Sequence, residues 1–231
     1  MRDLPFVADD GIVVVVDTLR TTLSDVEGPA TSLRKGDTVA PAPELMTVDD
    51  YFNTPETVKP MELVFGALRV ADAPSPRHQS AVVHLFRTLD AHVRAGGLGE
   101  VWLAPLDVVL DEPKALIVQP DLFFISNDRE WIVKDRVRGA PDLVVEVLSP
   151  NPRIGRTEER VGWFGEYGVR ECWLVHQDRR DLTVIDLATK DQCVFAGRER
   201  IKSRVLPEFS ETLGQILANG IGSDRGESGA S

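Results

Sequence analysis

APDLVVEVLSPN, residues 140–151, reads as a buried β-strand with one member out of place. Val144, Val145, Val147 and Leu148 surround Glu146, and Asp142 opens the run. A buried carboxylate is costly unless it is paired or binds a cation. Side chains alternate across a strand, so Asp142, Val144 and Glu146 share one face. Four residues of strand span roughly 13 Å, so Asp142 and Glu146 cannot readily hold one ion. Asp142 follows Pro141 and reads as a strand-start cap.

Asp121, in QPDLFFI, is a better partner. It opens another apolar run, and pairing of the two strands brings the carboxylates within a few ångströms. Two carboxylates, a backbone carbonyl (that of Val147) and waters suit Mg²⁺, which prefers hard oxygen ligands and keeps several waters. A structural alternative stays open, in which Asp121 and Glu146 are neutralised by arginines.

The surrounding pattern is mixed. MTVDDYF holds a capping-box-like start at Thr47 and Asp50. MELVFGALRVA, residues 61–71, reads as two strands turning at Gly66. A long helix starts at Ser75 and Pro76, carries Val82, Leu85, Phe86, Leu89 and Val93 on one stripe, and stops at Gly96 and Gly97. Two strand-like stretches, 99–110 and 114–126, come next. After the opening strand, a second helix covers about 155–167 and short strands follow at 171–177, 181–187 and 193–197. LPEFSETLGQILANG supplies a last strand-to-helix closure. This order predicts an α/β (mixed α+β) domain, a mixed sheet flanked by helices. Residues 1–44 read as an appended extension with one strand in GIVVVV, residues 45–219 as the domain, and residues 220–231 as a disordered tail.

The 231-residue chain carries 26 Lys+Arg against 37 Asp+Glu, a formal net charge of −11, which argues against a passive nucleic-acid coat. A local basic groove remains compatible with that sum. GIVVVV is too short to cross a membrane, and the acidic, Pro-containing start does not read as a signal peptide. Cys172 and Cys193 sit in apolar stretches without CxxC spacing, which predicts free buried thiols in a reducing cytoplasmic compartment. His84, His92 and His176 lack zinc-ligand spacing, and Ser149 lacks a nucleophile elbow. No phosphate-binding P-loop or dinucleotide fingerprint is present. Trp131, Trp163 and Trp173 read as core or interface residues.

The ordered segments PDLFFI, GAPDLVVEVLSPN and EERVGWFGEYGVRECWLVHQDRRDLTVIDL, flanked by MTVDDYF, SPRHQSAVVHLFRTL, APLDVVL and LPEFSETLGQIL, resemble the Uma-two family of restriction-endonuclease-like proteins. That family belongs to the PD-(D/E)xK nuclease superfamily, and the resemblance covers about residues 45–215. It implies a restriction-endonuclease-like core and cleavage of duplex DNA with Mg²⁺ or Mn²⁺. By position, Asp121 matches the motif aspartate and Glu146 the motif glutamate. Glu62 matches an early acidic residue, and His78 falls where the family tends to place a histidine. The superfamily's lysine usually stands two residues after the glutamate, where this chain has Leu148. Family members carry a lysine on the next helix instead, where this chain has Arg160. Phe164 stands for the usual tyrosine and Arg156 for an aspartate. Arginine keeps the charge and grips phosphate through two N–H groups, yet it cannot act as a base. Two functional expectations follow. One is a metal-dependent endonuclease with Arg160 on the phosphate, acting as a homodimer because duplex cutting needs two sites. The other is a catalytically degenerate relative that binds nucleic acid or protein. A purely structural protein would leave Asp121 and Glu146 without a task.

Overall fold

The computed structural model describes residues 45–55, 59–71, 73–148 and 156–218. The strand expected in GIVVVV, Ser149 and the tail lie outside them. The described elements run α1 (Val48–Phe52), β1 (Met61–Val64), β2 (Ala67–Val70), α2 (Pro76–Gly96), β3 (Gly99–Leu103), β4 (Val108–Asp111), β5 (Leu116–Val118) and β6 (Leu122–Ser126). A 3₁₀ turn (Asn127–Ile132) leads to β7 (Val137–Arg138), β8 (Leu143–Leu148), α3 (Thr157–Glu166), β9 (Glu171–His176), β10 (Asp181–Asp186), β11 (Gln192–Ala196) and α4 (Leu213–Ala218).

The strands divide between two mixed sheets, where the sequence pointed to one. Five strands lie in the order β2-β1-β5-β4-β7, and six in the order β11-β10-β9-β8-β6-β3. The reason is visible in the two long strand-like stretches. Residues 99–110 break near Pro105 into β3 and β4, and residues 114–126 break at Pro120 into β5 and β6. Proline donates no ladder hydrogen bond. At both breaks the chain leaves one sheet and enters the other.

Three apolar layers follow from the strand period of two. On the outer face of the six-stranded sheet, Leu143, Val145 and Val147 pack with Val82, Leu85, Leu89 and Val93 of α2 and Leu213 and Ile216 of α4. On its inner face, Val144, Phe123 and Leu174 meet Val64, Val108 and Val118 of the other sheet and Phe164 of α3. Beyond the five-stranded sheet, Leu63, Val109 and Ile117 pack on Val48 and Tyr51 of α1. The helix ends behave as their residues dictate. Ser75 caps α2, and Gly97 ends it at φ 59°. Thr47 and Asp50 form the full capping box of α1.

Several local expectations change. Trp173 is buried, but Trp131 is 66% exposed on the 3₁₀ turn. Cys172 is buried, whereas Cys193 is exposed because β11 is an edge strand of the six-stranded sheet. The final segment forms no named strand before α4, only an isolated bridge between Arg200 and Thr212. Among the described residues no helix is long and apolar enough to cross a membrane.

Candidate functional site

Glu62 shares a face of β1 with Val64, and Glu146 shares a face of β8 with Val144. The two sheets therefore aim one carboxylate each into the same inner layer. Arg160 enters that layer from α3, one turn before the buried Phe164. Its Nη1 donates to Glu62 Oε2 at 2.6 Å. Its Nη2 and Nε donate to Glu146 Oε1 at 2.6 and 3.2 Å. The Glu62 side chain is 1% exposed, and those of Arg160 and Glu146 are 10% and 14% exposed. Burial works against the Arg160 charge, yet Glu146 and Glu62 hold its pKa above the ordinary guanidinium value. Burial pushes the Glu146 carboxyl up to about 7, with Asp121 and Glu62 adding like charge and Arg160 pulling the other way.

Asp121 stands just before β6. The β6–β8 register pairs Leu122 with Val145 and Phe123 with Val144. Continued by one residue, it sets Asp121 across from Glu146. Asp121 Oδ2 accepts the Val147 N–H at 2.7 Å, and its Oδ1 lies 3.0 Å from His78 Nε2. His78 sits in the first turn of α2, where its backbone N–H donates to the Ser75 cap. The cap fixes the turn that presents the imidazole.

The Val147 carbonyl follows from the same register. A residue's N–H and C=O leave an extended strand on the same side. The Val147 N–H points toward Asp121, so its C=O points to that edge too. Continued by two residues, the register sets Pro120 there, and proline has no N–H to donate. The ladder thus leaves this carbonyl without its usual donor.

All five residues singled out in the sequence, Glu62, His78, Asp121, Glu146 and Arg160, meet around the ends of β6 and β8. They form two linked sets: Glu62–Arg160–Glu146, and His78–Asp121–Val147 N–H. Asp142 stands apart with a structural task. It is fully buried, accepts the Ser126 N–H at 2.9 Å, and has Arg170 at 3.3 Å and Arg129 at 3.6 Å. Arg156 is exposed at the N-cap of α3 and makes no side-chain cap.

Sequence reasoning missed the support behind Glu62. Its Oε1 accepts the Gln119 N–H at 2.7 Å. The Gln119 Nε2 donates to Asp107 Oδ1 at 2.9 Å, and the Tyr51 hydroxyl lies 3.0 Å from the same oxygen. Asp107 carried a signal, an acid inside the apolar APLDVVL, of the same kind that marked Glu146. Glu171 was also missed. It is buried at the head of β9 and accepts from Trp173 Nε1, Ser203 Oγ and the Arg204 N–H.

The donor set fits a hard divalent cation in its chemistry. Asp121 and Glu146 could offer carboxylate oxygens to such an ion, and Val147 a carbonyl without a ladder donor. Among the described residues no group of three or more His, Cys, Asp and Glu side chains is arranged to hold a metal. A two-carboxylate set still suits Mg²⁺, which keeps several waters.

The described residues thus form two mixed sheets flanked by helices, with Asp121 at the head of β6 set across from Glu146 of β8. The chain is similar to a solved structure described as a "putative nuclease" of the DUF820 group from Anabaena variabilis, with 17% identity and a TM-score of 0.63 over 75% of this chain and 98% of that one. A family profile described as "Putative restriction endonuclease" matches residues 48–216, and the chain belongs to that family, Uma2. No curated protein matches the chain.

Proposed function

We propose that the protein is a divalent-metal-dependent endonuclease acting on duplex DNA, with its site at the ends of β6 and β8. The observation that carries this reading is the register that sets Asp121 across from Glu146 beside the Val147 carbonyl. These three would hold Mg²⁺ or Mn²⁺. The ion, when bound, supplies Lewis-acid activation of water and charge stabilisation at a phosphodiester oxygen. Each remaining residue has a task of its own. His78 and the Val147 N–H hold Asp121 in one orientation. Glu62 orients Arg160, and Arg160 meets a phosphate oxygen as a permanent cation. His78 would also serve as a group contacting phosphate or water.

Membership of the family supports nuclease chemistry, and the metal and the DNA substrate are the finer part of the proposal. A domain spanning residues 45–219, a cytoplasmic location and a homodimer with one site per strand belong to it as well.

The test is cleavage of supercoiled plasmid by the full chain with Mg²⁺ or Mn²⁺, with EDTA and Glu146→Ala as controls. The reading requires cleavage that needs the metal and disappears in Glu146→Ala. Cleavage that survives Glu146→Ala removes the proposed site.

A second reading is favoured by one observation, the engagement of Arg160 with both Glu62 and Glu146. In it the protein keeps the fold and binds DNA without cutting. Metal-independent DNA binding that weakens steeply with salt, together with no cleavage, would support it.

A further inference from the structure

In the structure Arg160 is already engaged by carboxylates. Three of its nitrogens are spent on two carboxylates, and one of those belongs to Glu146. The guanidinium therefore stands against the carboxylate that the metal reading requires. The guanidinium and a divalent ion are both positive, and both would draw on the same Glu146 carboxylate. The carboxylates around this point, Glu62, Glu146 and Asp121, outnumber the arginine. His78 faces the cluster from α2, and Gln119 from the turn before β6.

We propose that Arg160 is the resident cation of the site, and that a divalent ion binds by displacing its guanidinium from Glu146. The proposal rests on the metal reading above and deepens it. Glu62 then has a definite part. It keeps Arg160 tethered through Nη1 when Glu146 is taken, so the freed edge of the guanidinium stays beside the site. Loading the metal and readying the arginine for phosphate become one exchange. The same exchange keeps divalent affinity low, because each ion must break two arginine–carboxylate hydrogen bonds. It also gives the arginine a consequence of its own. Lysine offers one compact ammonium and cannot span both carboxylates with a planar fork.

The experiment is calorimetric titration of MnCl₂ into the full chain, wild type against Arg160→Lys, with Glu146→Gln as the ligand control. Arg160→Lys is expected to bind Mn²⁺ about ten- to a hundredfold more tightly, the scale on which neighbours of ligands tune metal sites. Binding should vanish in Glu146→Gln. Equal or weaker binding in Arg160→Lys overturns the exchange while leaving the metal reading in place. No binding in either protein overturns both. A measurement on the wild type needs no variant to fold: the Arg160 Nε–H resonance, followed by NMR during MgCl₂ titration. It is expected to move as the ion enters, while that of Arg77 stays. Glu146-dependent binding with an unmoved Arg160 signal also refutes the exchange.

Discussion

Replacing Arg160 with leucine removes the guanidinium that joins Glu62 and Glu146. Three hydrogen bonds of 2.6 to 3.2 Å go with it, and two carboxylates are left facing each other in a layer where Glu62 is 1% exposed. Removing one partner of a buried ion pair costs about 3–5 kcal/mol, because the remaining charge is neither solvated nor neutralised. For a domain of this size that corresponds to a fall in Tm of roughly 6–20 °C. The cost depends on pH in a defined direction. Without Arg160, the pull that lowers the Glu146 pKa is gone, so its carboxyl stays protonated to still higher pH. At pH 5 the variant carries at most one charge in the pair, and most of the loss should be recovered. Urea unfolding of wild type and Arg160→Leu at pH 8 and pH 5 reads the difference. A loss below about 1 kcal/mol at pH 8, the range of exposed pairs, refutes the buried triad. An equal loss at both pH values refutes its electrostatic origin.

The wild type should also lose stability as pH rises from about 4.5, the ordinary glutamate value, to about 7. Because the folded state binds the Glu146 proton more tightly than the unfolded chain, this contribution is complete below the lower value and gone above the upper one. The pH dependence of the unfolding midpoint checks it, and Glu146→Gln should flatten that segment. Tyr51→Phe removes a hydroxyl lying 3.0 Å from both the Met61 carbonyl and Asp107 Oδ1, and should cost about 1–2 kcal/mol in chemical denaturation. Phe164→Ala opens a cavity at a fully buried ring beside Arg160, and a loss of about 3–5 kcal/mol is expected by the same assay.

Much of the site was legible because its residues break a pattern. Asp121 and Glu146 are acids in apolar runs, and the rise of the strand, roughly 13 Å over four residues, separated Glu146 from Asp142 on their shared face. The helix α2 announced itself through Ser75, Pro76 and Gly97. The split into two sheets was harder to see, because only the short joins Ala104–Asp107 and Gln119–Asp121, each holding one proline, part β3 from β4 and β5 from β6. A strand period continues through such a join, while the backbone does not. The arginine bridge was hidden for a different reason. Glu62 and Arg160 lie far apart in the chain and on different elements, and no local spacing brings them together. The Asp107–Gln119 support behind Glu62 depends on the same long-range packing. Trp131 shows the converse limit, since a large aromatic residue in a charged segment carries no sign of which way it faces.

The central claim is that Asp121 and Glu146 serve one site. Single-turnover cleavage of a DNA duplex with Mn²⁺ tests it most directly, using Asp121→Asn, Glu146→Gln and the double variant. Residues that act as a unit lose activity together, so the double variant should cleave no more slowly than the worse single one. Losses that multiply, or cleavage at the wild-type rate in either single variant, would contradict the account.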